Sequence, residues 1–294
     1  MKLTDEQIRA FRTDGVVVVE NTVTAVDLTP VMAEYDAWVD RRANELYNEG
    51  VISDIYAGLP LAKRFAELYA QSPMIGIGMD IMHMRGTAMF DFLRCDNLLD
   101  AVESLIGPEI TCNPIQHIRA KPPAAMSGEN ILQYNIPWHQ DSGVTWEEAD
   151  DSDIITCWVA MLDATVENGC MEVLPGAWKL GHLTHVAGAE GTTIQPDLLP
   201  DIAPQPVPVK AGGAVFMHRN TPHRSTPNFT DSTRWSIDLR YQPTGVPTGR
   251  PFHPDFIARS RKHPETVLTD HAEWSRLWVE ALTNAVNVQA HRVK

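Results

Sequence analysis

A histidine–aspartate pair and a distant histidine have the residue types and spacing of a metal site. His139 and Asp141 form a His-x-Asp motif, and His223 follows the pair Thr221 and Pro222 much later in the chain. In an extended segment alternate side chains point to the same side, so His139 and Asp141 could hold one ion together. Two imidazoles and one carboxylate can occupy one face of an iron(II) ion and leave the other face open for oxygen and a cosubstrate. The three residues therefore predict oxygen chemistry at an iron centre.

The His-x-acid pattern alone is weak evidence, because the chain contains three more examples. They begin at His253, His263 and His271. All three lie in proline-rich or helix-like sequence, and no strand-like sequence follows that could supply a later ligand. Ordinary polar surface residues are the simpler interpretation of these pairs.

The third ligand could come from either of two histidines. His218 ends the apolar run 213–217, and His223 lies just beyond it. His223 is the preferred candidate, because turn-forming residues between it and Arg234 leave room for the chain to return as a strand. His218 is then expected to line the pocket or to bind a loop carbonyl group.

Residues 234–241 predict the second part of the site. Apolar and polar residues alternate, which gives a strand with one apolar and one polar face. The polar face contains Arg234, Ser236, Asp238 and Arg240. A guanidinium can donate two parallel hydrogen bonds to a carboxylate, so Arg234 could anchor a dicarboxylate cosubstrate, and Ser236 could add a hydroxyl donor. The alternative is a surface strand whose charged face lies in water.

Further side chains could contact the cosubstrate. In the predicted strand 154–162, alternate side chains point to the same face. If the face that contains Trp158 points inward, Trp158 could form an apolar wall of the pocket. The alternative is an ordinary tryptophan of the hydrophobic core. Gln133 and Asn135 are separated from His139 by an even number of residues, so in an extended segment all three side chains would point to the same side. Either amide could then donate a hydrogen bond to a cosubstrate carboxylate.

Composition excludes several classes of function. The chain has 294 residues with 44% hydrophobic content, enough for a large core. Its 24 basic and 38 acidic residues give a formal net charge of -14, which disfavours binding to nucleic acids or anionic membranes. Four cysteines without a Cys-x-x-Cys pair disfavour a zinc knuckle or disulfide framework. Without a signal peptide or a membrane span, we expect a cytoplasmic protein with a small-molecule substrate, and self-association stays open.

Periodicity predicts helices first and short strands afterwards. A capping box at Thr4 begins the first helix, the pair Thr29-Pro30 begins a second, and residues 61–70 and 89–106 form two more. A last helix is expected over 264–285. The candidate strands are 16–19, 110–120, 130–136, 154–162, 170–174, 207–209, 213–218 and 234–241. Many short strands at such intervals predict a β-sandwich or barrel, here with flanking helices, in one domain over 1–294.

Three segments together resemble the phytanoyl-CoA dioxygenase family. They are Trp138-His139-Gln140-Asp141, the run 167–176 with its Asn-Gly and Pro-Gly pairs, and His223 followed by Arg234-Trp235-Ser236. The similarity covers about residues 5–245. One departure is Ala177-Trp178, where the family commonly has Ser-His after Pro-Gly, and it changes a loop rather than a predicted ligand.

The resemblance implies a mainly β fold with flanking helices and a double-stranded β-helix (jelly-roll, cupin-like) core. The core would cover about residues 109–245, between a helical part over about 1–108 and an extension over 246–294. The resemblance also implies iron bound by His139, Asp141 and His223, and 2-oxoglutarate bound through Arg234. Ser225 and Trp158 match positions that often contact the cosubstrate in relatives; their roles, and that of Gln133, are expectations.

The expected function is an iron(II)- and 2-oxoglutarate-dependent dioxygenase that uses O2, with ascorbate as the reductant in vitro. It would hydroxylate an unactivated C–H bond of a small molecule and release succinate and CO2. The resemblance favours hydroxylation, because related iron halogenases have Ala or Gly where this chain has Asp141. Desaturation, epoxidation or cyclisation with the same cofactors stays open, and a non-oxygenase cupin-like isomerase or hydrolase is the alternative.

Two charge patterns point to opposite substrates. The acidic run 147–153 follows the metal motif and could form a lid that attracts a cation, or it could be a solvated loop. Arg219, Arg224 and Arg240 could instead bind an anion. The sequence does not decide between these interpretations.

Overall fold

The computed structural model describes residues 1–127, 135–188, 191–285, 288 and 291–293. Within these ranges most helices precede residue 110 and most strands follow it. The helices are α1 (Asp5–Asp14), α2 (Ala25–Asn48), α3 (Leu61–Gln71), α4 (Ile81–Met84), α5 (Thr87–Leu93), α6 (Asp96–Ile106), α7 (Ala124–Ser127) and α8 (His271–Asn284). The strands are β1 (Val16–Val19), β2 (Ile110–Cys112), β3 (His117–Lys121), β4 (Ile155–Ala160), β5 (Met171–Val173), β6 (His185–Gly188), β7 (Gly191–Ile194), β8 (Gln205–Val207), β9 (Ala214–His218), β10 (His223–Ser225), β11 (Arg234–Pro243) and β12 (Phe256–Arg259).

Local signals placed the first helix correctly but not the second or the fourth. The capping box of α1 is present, with Thr4 and Gln7 each bonding to the other's backbone N–H. α2 begins at Ala25, earlier than predicted, because Asp27 accepts a hydrogen bond from the Thr24 backbone and forms a second capping box. The predicted helix 89–106 is two helices, α5 and α6, with an aspartate in the first turn of α6.

All strand pairings among the described residues are antiparallel, and they form a large sheet, a smaller sheet and a two-stranded pair. The large sheet has the order β1-β9-β4-β11-β2-β12, and β3 also pairs with β11. The smaller sheet has the order β10-β5-β8, and β6 pairs with β7. A bridge joins His139 to His223, and the Ile194 N–H donates to the Trp138 carbonyl at 2.7 Å. The segment that carries the His-x-Asp motif therefore lies between β10 and β7.

Several strand predictions were wrong in detail. The predicted strand 110–120 is two strands, because the Asn113 side chain accepts the Ile115 N–H and turns the chain between them. Four strands were missed, namely β6, β7, β10 and β12, which have only three or four residues each. Most of the predicted strand 130–136 lies outside the described residues, and its last two residues are not in a strand. The last helix begins only at His271, after Asp270 as its cap.

The two faces of β11 meet different surroundings, as the alternation predicted. Its apolar face is fully buried against the helices, and the Trp235 ring lies 5.2 Å from that of Phe65 on α3 and 6.2 Å from that of Tyr35 on α2. On the opposite side a second apolar cluster, including Trp158 and Met171, joins the large sheet to the smaller one. The polar face of β11 therefore points into the space between the sheets. No helix in the described ranges combines the length and apolar character that a bilayer crossing requires.

Candidate metal centre

The structure brings His139, Asp141 and His223 together. One ligand atom from each lies within 4.8 Å of the others, and the described residues contain no other such group of three or more His, Cys, Asp or Glu side chains. The bridge between the two histidines explains their proximity, since each backbone N–H donates to the other's carbonyl, at 3.0 and 2.9 Å. The imidazole centroids lie 4.1 Å apart. The donor atoms are close enough to share one ion.

The hydrogen bonds of both imidazoles determine which nitrogen is free. His139 Nδ1 lies 2.9 Å from the Pro137 carbonyl, and His223 Nδ1 lies 2.9 Å from the Thr221 carbonyl. A carbonyl oxygen only accepts, so each Nδ1 carries the proton and each Nε2 keeps its lone pair for a metal. Desolvation lowers the pKa of His139 to about 3, which keeps this ring neutral. The donor set fits a divalent cation.

Two side chains hold the Asp141 carboxylate in place. The Thr156 hydroxyl donates to one oxygen, and Arg240 Nη2 donates to the other at 2.6 Å. Burial alone would raise the pKa of Asp141, but the charge of Arg240 and the hydrogen bond from it lower the pKa below its ordinary value. Arg240 also pairs with Asp238, at 3.0 Å. Asp141 is therefore an ionised and oriented carboxylate.

Gln140, between the two motif residues, points the opposite way and anchors the motif. Its side-chain amide donates to the carbonyls of Gly181 and Asn220, both at 2.8 Å, and accepts the Leu183 N–H at 2.7 Å. The Gln140 backbone N–H donates to Nε2 of the buried His185 at 3.0 Å. The same alternation of side chains that places His139 beside Asp141 predicts that Gln140 points the opposite way. It does not predict the hydrogen-bond partners of Gln140.

Arg234 is a buried cation in the same cavity, which has a volume of about 450 Å³. Its guanidinium donates to the Ser236 hydroxyl at 2.6 Å and the Gly169 carbonyl at 3.1 Å, and lies 4.9 Å from the centre of the Trp158 ring. Nε has no hydrogen-bond partner, and no carboxylate of the described residues forms an ion pair with it. Burial lowers the pKa of Arg234 to about 10, so it stays protonated. A buried charge without a counter-ion is costly, which suits a site for a carboxylate ligand.

Lys121 adds a second basic group, which sequence reasoning missed. It pairs with Arg234 across β3 and β11 and lines the cavity. Its Nζ donates to the Asn135 side chain at 2.9 Å. Burial and the charge of Arg234 lower the pKa of Lys121 to about 6. An anion bound beside both groups would reverse this shift, because it stabilises the protonated amine.

Comparison with known proteins identifies the family of this chain. A family model described as phytanoyl-CoA dioxygenase (PhyH) matches residues 11–236. The chain belongs to this family. Membership confirms the resemblance predicted from the motifs and, with the His-Asp-His group, supports a non-heme iron and 2-oxoglutarate oxygenase-type enzyme.

Individual relatives match this PhyH family member to different extents. Phytanoyl-CoA dioxygenase domain-containing protein 1 of Danio rerio is 36% identical over 88 residues, which are 28% of this chain and 30% of that protein. Methylphosphonate hydroxylase of Gimesia maris is 34% identical over 87 residues, 30% of this chain and 32% of that protein. These two alignments span about a third of the relatives' length. A probable phytanoyl-CoA dioxygenase of Caenorhabditis elegans is 25% identical over 256 residues, 81% of this chain and 75% of that protein.

Solved structures share the fold at low sequence identity. The non-heme monooxygenase ThoJ has a TM-score of 0.63 and 20% identity, over 95% of this chain and 98% of that one. The epimerase SnoN, in complex with Fe3+, alpha ketoglutarate and nogalamycin RO, has a TM-score of 0.56 and 20% identity, over 83% and 86% of the two chains. At such identity the likeness concerns the fold alone.

The other predicted site residues of this PhyH family member lie in different places. Trp158 and Ser225 line the cavity. Ser236 is fully buried and is not among the lining residues, so it contacts Arg234 rather than the open space. Gln133 lies outside the described residues. His218 is absent from the metal group; its Nδ1 accepts the Asn220 N–H at 3.1 Å.

Neither charge prediction about the substrate is supported by the contacts. Arg219 pairs with Asp150 at 2.9 Å, Arg224 with Glu172 at 2.7 Å, and Arg240 with Asp141. Each of the three arginines thus already has a carboxylate partner. No residue of the acidic run 147–153 lines the cavity. The charge of the substrate must be inferred from other residues.

Proposed function

We propose that this chain is an iron(II)- and 2-oxoglutarate-dependent dioxygenase that hydroxylates an unactivated C–H bond of a small molecule and releases succinate and CO2. The observation that carries the proposal is the joint presence, in one cavity, of the His139, Asp141 and His223 group and of Arg234, a buried cation that forms no ion pair with the described residues. We also propose that the two antiparallel sheets form a double-stranded β-helix core and that residues 1–294 make one domain.

The proposed roles follow from the contacts. His139, His223 and Asp141 would hold the iron through their free Nε2 atoms and the oriented carboxylate. Arg234 would bind the far carboxylate of 2-oxoglutarate, with Trp158 as the wall beside it. Ser236 orients Arg234, Ser225 lies within reach of the cavity, and a contact from Gln133 stays a prediction.

Bound iron, 2-oxoglutarate and O2 would supply the oxidising chemistry. The chain's own residues then set the geometry. The negative charge of Asp141 offsets the positive charge of the metal, and Arg240 and Thr156 keep its oxygens from rotating. Apolar side chains on the cavity wall, such as Met79 and Ile115, exclude water and position the substrate.

The proposal is tested by following succinate from 2-oxoglutarate in the presence of iron(II), ascorbate and air. We expect slow succinate formation that needs iron and oxygen together, and faster formation when a metabolite library contains the substrate. Mass analysis of the product separates hydroxylation from desaturation, epoxidation or cyclisation. Hydrolysis or isomerisation that proceeds without oxygen and 2-oxoglutarate would favour the non-oxygenase alternative.

A first prediction concerns the residue that orients Asp141. Thr156→Val removes the hydroxyl that donates to the carboxylate, and we expect a metal affinity about 10–100-fold lower, as is typical when a partner of a metal ligand is lost. Titration with iron(II) or manganese(II) measures it. Thr111→Val is the control, because Thr111 is also buried in the large sheet but its hydroxyl contacts Thr244. Equal losses in both variants would indicate a general effect on folding.

A further inference from the structure

The cavity is basic although the chain is acidic. Among the described residues, six Lys or Arg side chains and three Asp side chains line it, a formal excess of three positive charges, whereas the whole chain carries -14. The basic residues are Arg119, Lys121, Arg224, Arg234, Arg240 and Arg250. In the proposed function, the iron dication and the 2-oxoglutarate dianion would cancel each other and leave this excess in place.

Four of the six basic groups have a partner or an assigned role. Arg224 and Arg240 are ion-paired with carboxylates, and Arg234 and Lys121 lie side by side where the cosubstrate carboxylate is proposed. The remaining two are Arg119 and Arg250. In the part of the chain that the structure describes, neither guanidinium forms an ion pair with a carboxylate.

Arg119 and Arg250 also form few hydrogen bonds within the described part of the chain. The Arg119 side chain is exposed at the cavity and forms no hydrogen bond or ion pair with the described residues. Arg250 Nε donates to the Val144 carbonyl at 2.7 Å, and its guanidinium lies 5.7 Å from the centre of the Phe252 ring. Its two terminal nitrogens form no hydrogen bond or ion pair with the residues that the structure describes. Burial, followed by the charge of Arg240, lowers the pKa of Arg250 to about 10, so it remains a cation.

Asp80 interacts electrostatically with Arg119 but forms no hydrogen bond or ion pair with it among the described residues. Asp80 lines the cavity, but one of its oxygens lies 2.6 Å from His117 Nδ1 and the other accepts the N–H groups of Ile81 and Ile118. Although burial raises the pKa of Asp80, the charge of His117 and the hydrogen bond with it, followed by the charge of Arg119, lower the value to about 2. The carboxylate of Asp80 is thus already engaged.

The strand register places Arg119 next to the proposed cosubstrate site. Arg119 pairs with Ser236, and Lys121 pairs with Arg234. Alternate residues of a strand share a face and lie roughly 7 Å apart. Arg119 therefore follows Lys121 along the same wall of the cavity.

We propose that the substrate carries an oxyanionic group, phosphoryl, phosphonyl, sulfonyl or carboxylate, that Arg119 and Arg250 bind. The proposal rests on the proposed function, because it assigns Arg234 and Lys121 to 2-oxoglutarate. A guanidinium matches such groups through paired hydrogen bonds. The net negative charge of the chain repels anions from most of its surface. The basic cavity would therefore bind anions at the proposed substrate site and not elsewhere.

The test is calorimetric titration of the anaerobic protein, loaded with iron(II) and saturating 2-oxoglutarate, with inorganic phosphate, acetate and ethylamine. We expect at least one of the two anions to bind saturably without displacing 2-oxoglutarate, and ethylamine not to bind. Arg119→Gln and Arg250→Gln should each raise the anion dissociation constant by about ten-fold or more, because each removes a charged hydrogen-bond donor. Arg41→Gln, at an exposed position of α2, is the control and should leave the constant unchanged.

Three outcomes would overturn the inference: dissociation constants that neither variant changes, anions that compete with 2-oxoglutarate, or binding of ethylamine in their place. If instead the proposed function were wrong, the wild-type protein would not bind 2-oxoglutarate, and this result is distinct from the three outcomes above. The anion titration without 2-oxoglutarate would in that case still test Arg119 and Arg250.

Discussion

Replacing His139 by alanine is expected to abolish iron-dependent release of succinate and to lower metal affinity by more than about 100-fold. The variant loses one of three proposed ligands, and loss of a residue that only supports a ligand already lowers affinity by about 10–100-fold. The remaining pair, Asp141 and His223, cannot complete the face of the ion. Metal titration and chromatographic detection of succinate measure the two effects.

His218→Ala is the matched control for this experiment. His218 lies a few residues before His223, but its ring bonds to the Asn220 backbone and is outside the metal group. We expect this variant to keep its metal affinity. Normal turnover by His139→Ala, or loss of metal in His218→Ala alone, would show that the ion binds elsewhere.

Replacing Arg234 by glutamine is expected to raise the dissociation constant of 2-oxoglutarate by about 30-fold or more while metal binding persists. Removal of one partner from a buried, hydrogen-bonded charge pair costs about 2 kcal/mol or more, and about 1.4 kcal/mol is a factor of ten. The protein without ligand should lose little stability, because the variant also removes a buried charge that has no ion-pair partner in the described part of the chain. Ligand binding and folding stability should therefore respond differently.

Thermal unfolding with and without 2-oxoglutarate separates these effects. At a ligand concentration 100 times the wild-type dissociation constant, the ligand stabilises the wild-type protein by about 2.7 kcal/mol. For a constant 30-fold higher, the same relation gives about 0.9 kcal/mol. Arg224→Gln is the control, since Arg224 is paired with Glu172. An unchanged constant in Arg234→Gln would make Lys121 the next candidate anchor, because Arg240 is already paired with Asp141.

The placement of His139 beside Asp141 was predictable because its signal is local. His139 and Asp141 are two residues apart in an extended segment, so alternation alone puts them on one side. The polar face of β11 followed from the same rule, and the structure confirms that it points away from the helical core. The capping box at Thr4 is equally local.

The missed features depend on pairing between distant segments. The three-residue strand β10 has too few positions to show alternation, yet its bridge to His139 brings the two imidazoles together. Arg240 was expected to be open to an anion, and its partner Asp141 lies 99 residues away in sequence. Arg119 has no sequence signal of its own, since one exposed arginine in a strand resembles any other.

Residue order along single strands thus predicted the metal ligands and the anchor arginine, because side-chain direction repeats every two residues, and the motifs predicted the family. The hydrogen-bond or ion-pair partner of each buried charged side chain could be identified only in the three-dimensional structure. Which arginines are neutralised and which stay open depends on the register between strands far apart in sequence, and that register results from packing both sheets around one cavity.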